Sequence, residues 1–294
     1  MLIGVPKEIK VEEHRVGLTP ESVRQLFASG HRVLVQAGAG AGIGASDADY
    51  REAGATIARD PGEIFGAAEL IVKVKEPLAP ERALLRRGQA VFTYLHLAPD
   101  PEQARELLAS GAIAIAYETV TSPQGGLPLL APMSEVAGRM AVQVAAHYLE
   151  RPHGGRGVLL SGATGVPAAT VLLLGAGVVG SNAARVASRM GAQVSVLNRS
   201  EAPLRRLAET DPAIRTALAT PAAIAEALRS ADAVIGGALV PGALAPRLVN
   251  RGALAEMRPG AVLVDVSIDQ GGCFETSRPT THADPVYVVD GIVH

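Results

Sequence analysis

Three glycines are spaced as G-x-G-x-x-G in Gly175-Ala176-Gly177-Val178-Val179-Gly180. The run Val171-Leu172-Leu173-Leu174 directly precedes them, and an alanine-rich helical pattern follows. Strand, glycine turn and helix in this order make a dinucleotide-binding fingerprint, because each glycine has its own task. The first permits the tight turn, the second lets the backbone approach a pyrophosphate, and the third lets helix and strand pack closely. Exposed amide N–H groups and the positive end of the helix dipole then receive the anion. With 32 glycines in 294 residues the bare spacing is weak. Its position between strand and helix makes it specific.

The fingerprint normally continues about 20 residues on, where an Asp or Glu ends the next strand and holds both ribose hydroxyls. Here that strand leads into Asn198-Arg199-Ser200. Asn198 offers hydrogen bonds without a charge that repels a 2′-phosphate. Arg199 offers a guanidinium fork that suits a phosphate, and Ser200 adds a hydroxyl. This pattern favours NADP(H) over NAD(H). With Arg199 read as a solvated loop residue, NAD(H) stays open.

Other polar residues divide less sharply. His96 follows an apolar strand at its carboxyl end, where ligands bind in α/β sheets, and its imidazole moves protons near neutrality. By itself, Lys75 in Lys73-Val74-Lys75 reads as an exposed strand-end charge. Arg15, beside Glu12, Glu13 and His14, reads as part of a solvated loop. The remaining histidines, His14, His31, His147, His153, His282 and His294, show no ligand spacing, and no metal is indicated. The single cysteine excludes an internal disulfide and a multi-cysteine metal site. Cys273 follows two glycines and has no adjacent base, so it reads as packed rather than nucleophilic. Asp47 and Asp49 read as turn residues.

Short apolar runs alternating with helical patterns must position these groups, and that alternation predicts α/β architecture with parallel sheets. Strands are expected over residues 2–5, 32–36, 70–74, 90–95 and 112–117. A helix opening at Thr19-Pro20 and closing at Gly30 separates the first two, and another over residues 102–110 precedes the last. The turn-rich segment Ser122-Pro123-Gln124-Gly125-Gly126-Leu127-Pro128 reads as a boundary. Ser134 is expected to cap a long helix to about residue 150, with Val136, Met140, Val144 and Tyr148 on one face. Two domains follow: residues 1–130, and a dinucleotide-binding domain over residues 131–294 entered through that helix. In the second, strands are expected over residues 170–174, 193–197, 233–236, 261–266 and 286–289. Helices are expected over residues 181–190 and 222–228, with broken helix and loop over residues 247–257. This order makes a doubly wound sheet, giving two Rossmann-like domains in all.

The composition is that of an ordinary globular protein, 48% hydrophobic and 19% charged. A formal net charge of -2, scarce aromatics and no Trp exclude a nucleic-acid partner. No apolar run approaches the roughly 18–20 residues of a membrane span, and the amino terminus lacks a signal-type cleavage region. A soluble, cytoplasmic protein acting on a small molecule, with no membrane partner, is the expectation.

Several longer blocks then carry a resemblance. They are Val5-Pro6-Lys7-Glu8 with Arg15-Val16-Gly17-Leu18-Thr19-Pro20, and Val72-Lys73-Val74-Lys75-Glu76-Pro77. Further on come Phe92-Thr93-Tyr94-Leu95-His96-Leu97, residues 131–139 and Asp269-Gln270-Gly271-Gly272-Cys273. In this order the chain resembles the alanine dehydrogenase and pyridine nucleotide transhydrogenase α-subunit family, and its alanine dehydrogenase branch more closely.

The resemblance implies reversible oxidative deamination of L-alanine to pyruvate and ammonia with NAD or NADP. It implies Arg15 and Lys75 as the cations that clamp the substrate carboxylate. His96 is implied as the acid–base residue, and Asp269 as the catalytic carboxylate that handles water or ammonia. On the nucleotide side it implies Ser134, Gly175, Gly177, Val178, Val179, Gly180 and Asn198. It adds Thr220, Ala238, Leu239, Val266, Ser267, Ile268, Asp269 and Arg278, with Thr220 in a loosely matching stretch. Pro203 stands where the family usually has a basic residue, which Arg199, Arg205 or Arg206 would replace. A homo-oligomer, often a hexamer, is also implied.

Family members usually extend past the position of His294, with an Asn-Met-Pro loop beside the nicotinamide and helices that return to the first domain. An incomplete chain, a shortened enzyme and a non-catalytic nucleotide-binding paralogue are the three readings of that difference. A transhydrogenase-like subunit is the alternative function.

Overall fold

A computed structural model describes residues 1–281 and 283–294; His282 lies outside the described residues. The chain divides into two compact units, Met1–Pro123 and Gln124–His294.

The first unit alternates strands β1 (Leu2–Val5), β2 (Arg32–Gln36), β3 (Thr56–Ala58), β4 (Leu70–Val72), β5 (Ala90–Thr93) and β6 (Ile113–Ala116) with helices. The helices are α1 (Pro20–Ala28), α2 (Asp47–Glu52), α3 (Pro61–Ala67), α4 (Ala79–Arg82) and α5 (Pro101–Ser110). The sheet order is β3-β2-β1-β4-β5-β6, and every pair is parallel. The order reverses between β1 and β4, so the carboxyl ends of these two strands form the switch point at which α/β folds bind ligands.

Helices α1, α3 and α5 start on proline, and the side chains of Thr19, Asp60 and Asp100 accept an amide hydrogen bond at their N-caps. Proline there loses no bond, because first-turn amides have no intrahelical partner. A Cβ on Gly4 would stand 2.7 Å from the Ala68 Cβ, so glycine lets α3 lie directly on β1.

Asp47 and Asp49, expected in a turn, instead open α2. Asp49 and Ser46 form a reciprocal capping box, and Asp47 accepts from the Gly38 amide at 2.8 Å. The expected strands at residues 70–74, 90–95 and 112–117 are each shorter than their apolar runs. In the first two, the lost residues are the loops that carry Lys75 and His96.

The second unit opens with α6 (Ala131–Tyr148) and continues β7 (Thr170–Leu174), α7 (Val178–Arg189), β8 (Gln193–Asn198), α8 (Glu201–Thr210) and β9 (Arg215–Leu218). Then follow α9 (Pro221–Ser230), β10 (Ala233–Gly236), α10 (Arg251–Leu254), β11 (Val262–Asp265), β12 (Val288–Val289) and β13 (Ile292–Val293). Its sheet order, β12-β13-β11-β10-β7-β8-β9, is parallel except for the antiparallel pair of β12 and β13. Again the order reverses beside the first strand, here between β7 and β10.

Strand β7 is buried on both faces. Val171 and Leu173 pack with α6 and α7, while Leu172 and Leu174 pack with Ile224 and Leu228 of α9. That explains its unbroken apolar run.

Several expectations change here. Helix α6 begins at Ala131, three residues before Ser134, because Pro132 fits its first turn. Ser134 therefore lies inside the helix and is not its cap. The α6 face that is buried carries Gly138, Ala141, Val142 and Ala145, whereas Val136, Met140 and Val144 are exposed. Small residues win because α7 presents Ala183, Ala184 and Ala187, and a Cβ on Gly138 would stand 2.3 Å from the Val179 carbonyl oxygen.

Helix α7 starts at Val178 rather than residue 181, so the last glycine of the turn is already helical. The strand expected over residues 286–289 is only β12, half of a short hairpin with β13. Cys273 is fully buried, as its glycine-flanked, base-free context suggested. Burial and the nearby Asp265 carboxylate push its thiol pKa up.

Candidate functional site

In the first unit, the loop after β1 meets the loop after β4 through Glu8. Its carboxylate accepts from the Val74 amide at 2.7 Å, from the Lys75 amide at 3.4 Å and from Lys73 Nζ at 3.1 Å. Lys73 Nζ also donates to Glu81 at 2.7 Å. Lys73, Glu8 and Glu81 are all buried, so one ammonium lies between two carboxylates inside the protein. Burial holds the Glu81 carboxyl above its ordinary pKa in spite of the Lys73 charge. The triad fixes the backbone on both sides of Val74, and so sets where Lys75 leaves the sheet. The Lys75 carbonyl is tied in turn by the Thr93 hydroxyl at 2.8 Å.

Arg15 rides on a clamped loop. A Cβ on Gly17 would stand 2.4 Å from the Val72 carbonyl oxygen, and one on Gly42 would stand 2.2 Å from the His14 carbonyl oxygen. Both contacts are with backbone, so only glycine permits them. The Arg15 guanidinium donates twice to Glu13, at 2.8 and 2.5 Å, and the Arg15 amide donates to the same carboxylate at 2.9 Å. Burial opposes the charge on Glu13. The hydrogen bonds and charge of Arg15, with the charge of Lys75, outweigh it and leave the pKa lowered. Arg15 therefore stands in a defined place although it is solvent-exposed.

His96 has φ +49, a left-handed conformation that is strained for a residue with a side chain. Glu118 holds it there, accepting from the His96 amide at 2.6 Å and from the Leu95 amide at 3.1 Å. Gln103 donates to the Leu95 carbonyl at 2.6 Å. The Glu118 carboxylate also lies 4.0 Å from His96 Nδ1. Tyr94 stacks on the His96 ring, with centroids 5.8 Å apart, and feels the charge of Arg15. The Tyr117 hydroxyl donates to the Lys73 carbonyl at 2.9 Å, joining this aromatic group to the β4 loop. Thus Arg15, Lys75 and His96 belong to one polar group on the carboxyl edge of the first sheet. Two cations and an imidazole on one sheet edge suit a small carboxylate whose neighbouring amino or carbonyl group must exchange protons.

In the second unit the glycine turn has the form its spacing implied. Gly175 has φ +111, and a Cβ there would stand 2.8 Å from the Gly237 carbonyl oxygen at the end of β10. A Cβ on Gly180 would stand 1.9 Å from the Gly175 carbonyl oxygen, so the α7 helix leaves directly from the turn. At Gly177 there is only open space where a Cβ would be. Gly177 thus bares its backbone at the head of a twelve-residue helix, where unpaired amides and the helix dipole favour an anion. These residues fit the pyrophosphate of a dinucleotide.

The Asn198 side chain is engaged with the turn itself. Its oxygen accepts from the Ala176 amide at 3.1 Å, and its nitrogen donates to the Ser200 carbonyl at 2.9 Å and to the hydroxyl at 3.2 Å. Arg199 is exposed beside it. Ser134 lies half-buried in α6, and Val178 and Val179 form the first turn of α7. The Thr220 hydroxyl accepts from the Ala223 amide at 3.1 Å and caps α9, a structural task. Ala238 and Leu239 follow β10, and the Ala238 carbonyl accepts from the Ser267 hydroxyl at 2.8 Å.

Val266, Ser267, Ile268 and the exposed Asp269 follow β11, the last two in a short 3-10 turn, Ile268–Gln270. Asp265 organises this loop. It accepts from the Ser267 amide at 3.1 Å, the Cys273 amide at 2.8 Å, the Phe274 amide at 3.2 Å and the Ser277 hydroxyl at 2.5 Å. Arg278 lies over the Tyr287 ring at 4.0 Å.

Reading the sequence missed Glu8, Glu118 and Asp265, all carboxylates that hold a loop carrying a chemical residue. Each is an acid near the end of a strand or of an apolar run, which is a signal only once the partner amides are known.

The alanine dehydrogenase/PNT N-terminal domain model matches residues 4–137 and the C-terminal domain model residues 141–294. The chain is 57% identical to an alanine dehydrogenase of Halomonas elongata, covering 100% of this chain and 80% of that protein. It is 53% identical to an alanine dehydrogenase of Mycolicibacterium smegmatis, covering 98% and 78%. Among solved structures, an L-alanine dehydrogenase superposes with a TM-score of 0.89 at 48% identity, covering 100% of this chain and 81% of the other. A transhydrogenase of Sinorhizobium meliloti superposes at 0.81 with 31% identity, covering 100% and 85%. With both domain models matched in order and the sheets described above, this chain belongs to the alanine dehydrogenase/PNT family.

Proposed function

We propose that the chain catalyses the reversible, NAD(P)-dependent oxidative deamination of L-alanine to pyruvate and ammonia, as a cytoplasmic homo-oligomer. The observation that carries this is the polar group of Arg15, Lys75 and His96 on the first sheet, in a chain 57% identical to a named alanine dehydrogenase. The dinucleotide, bound at the glycine turn, supplies the hydride acceptor.

Arg15 and Lys75 hold the alanine carboxylate as a fork and a point charge, which orients Cα. His96 takes the proton that leaves the amino group as the C–N bond becomes an imine, and returns a proton as water adds and ammonia departs. Glu118 orients the His96 ring through the backbone and Nδ1. Asp269 is the carboxylate that handles water in this direction and ammonia in the other. Ser134, the glycine turn, Asn198 and the loops after β10 and β11 line the nucleotide. The lack of an acid at the end of β8, with Arg199 exposed there, supports NADP(H) as the better cofactor.

The test is nucleotide reduction with L-alanine by the full chain, with NAD and NADP titrated separately. Alanine-dependent turnover that falls at least about 100-fold in H96A and D269A is expected. Hydride exchange between nucleotides without use of alanine or pyruvate would instead identify a transhydrogenase-like protein, and nucleotide binding with no turnover a non-catalytic paralogue. Equal affinity for NAD(H) and NADP(H) would remove the role given to Arg199. Light scattering of the same protein tests the oligomer, a hexamer being the expected form.

A further inference from the structure

We propose that the corner at the end of α6 is a surface site for a transition-metal ion of the zinc class, held by His147, Glu150 and His153. One ligand atom from each of these residues lies within 4.8 Å of the other two. The imidazoles of His147 and His153 face each other with centroids 3.8 Å apart and a tilt of 34°. His153 Nδ1 lies 3.5 Å from the Glu150 carboxylate. Two imidazoles and a carboxylate are a donor set that zinc uses with water completing a four-coordinate sphere. Calcium and magnesium prefer all-oxygen ligands, so this donor set selects against them.

The spacing is built by backbone. Helix α6 ends at Tyr148, and residues Arg151–His153 form a 3-10 turn. The Glu150 amide donates to the His147 carbonyl at 3.2 Å, and the His153 amide to the Glu150 carbonyl at 3.1 Å. A Cβ on Gly155 would stand 2.2 Å from the Tyr148 carbonyl oxygen, so the chain doubles back tightly beneath the three side chains. Leu149, between His147 and Glu150, is fully buried and pins the corner to the core. The donors are thus brought together by a corner that does not need a metal to form.

His153 Nδ1 also lies 3.1 Å from the His147 carbonyl oxygen. That carbonyl steadies the ring beside the other two donors, as hydrogen-bond partners commonly do for metal-bound histidines. The helix C-terminus adds a favourable partial negative charge for a cation. Reading the sequence found no ligand spacing among these histidines, because i, i+3, i+6 suits neither a helix nor a strand. It suits a helix that tightens into a 3-10 turn.

The test is titration of the untagged full-length chain with Zn(II) by calorimetry, and with Co(II) by visible absorption. One ion per chain is expected, and H147Q, H153Q and E150Q should each weaken binding by about tenfold or more. All three side chains lie on the surface, so nucleotide binding by each variant serves as the control for folding. Zn(II) affinity unchanged in either histidine variant would overturn the site. An unchanged affinity in E150Q would overturn the three-donor arrangement.

Discussion

The two units share the order of their first five strands and use its switch point in opposite ways. In the second unit, the gap between β7 and β10 is kept clear by Gly175, Gly177 and Gly180, and the backbone itself is the binding surface. In the first, the corresponding gap between β1 and β4 is filled by Lys73 with Glu8 and Glu81. Binding there passes to the side chains that the plug positions, Lys75 above all. The same topology thus yields a backbone site for a long anion and a side-chain site for a small one. Which one forms depends on whether the strand ends carry glycine or charge.

The largest effect that would break this contrast is in the second unit. Gly180→Ala places a methyl 1.9 Å from a backbone oxygen. It should cost roughly 4 kcal/mol or more and abolish nucleotide binding, measured by NAD(P)H fluorescence and thermal melting. Gly177→Ala, whose Cβ meets open space, should leave melting almost unchanged while weakening the nucleotide. Equal effects of the two on stability would deny the separate roles given to these glycines.

In the first unit, Lys73→Met strands two buried carboxylates and should cost about 3–5 kcal/mol in denaturant unfolding. Combining it with Glu8→Gln and Glu81→Gln should recover a large part of that loss. A triple variant no better than K73M would mean that the plug does not act as an ionic unit.

Glu118→Gln keeps one acceptor for the Leu95 and His96 amides but removes the charge near Nδ1. Turnover with alanine should fall about tenfold, more in kcat than in KM. An unchanged kcat would reduce Glu118 to a backbone brace.

The smallest effect concerns Glu13. Its pKa is lowered from the usual 4.5 in the fold, chiefly by Arg15 against the opposing effect of burial. A lowered carboxylate contributes stability that is present above its unfolded pKa and lost as pH falls through the folded value. The pair is partly solvated, so under about 1 kcal/mol is expected. Glu13→Gln should lower stability at neutral pH by up to that amount, leave it little changed at acid pH, and so flatten the acid side of the stability curve.

The glycine turn was legible in sequence because its geometry is local. The end of the strand, the turn and the start of the helix lie within ten consecutive residues, and Gly180 answers a constraint from the Gly175 carbonyl oxygen inside the turn itself. His96 was legible in part, since it follows an apolar strand, and Lys75 and Arg15 only through resemblance. Asp49 and Ser134 show where local reading fails. A Ser-x-x-Asp box made a short helix where a turn was expected, and a proline two residues before Ser134 set the start of α6.

What the sequence by itself determined is the alternation of buried strands and amphipathic helices, the nucleotide turn and the lack of an acid at the end of β8. Those follow from periodicity and from backbone conformations available within a few residues. Tertiary structure alone decided that Lys73 is the buried cation and Lys75 its neighbour outside the triad. It also decided that Glu118 holds the left-handed His96, and that Asp265 gathers the loop of Asp269. In each case a carboxylate satisfies amides or charges supplied by another segment, for example 8 residues away for Asp265 and Cys273 and 66 for Glu8 and Val74. A buried carboxylate is stable only where such partners converge, and that convergence is a property of the fold.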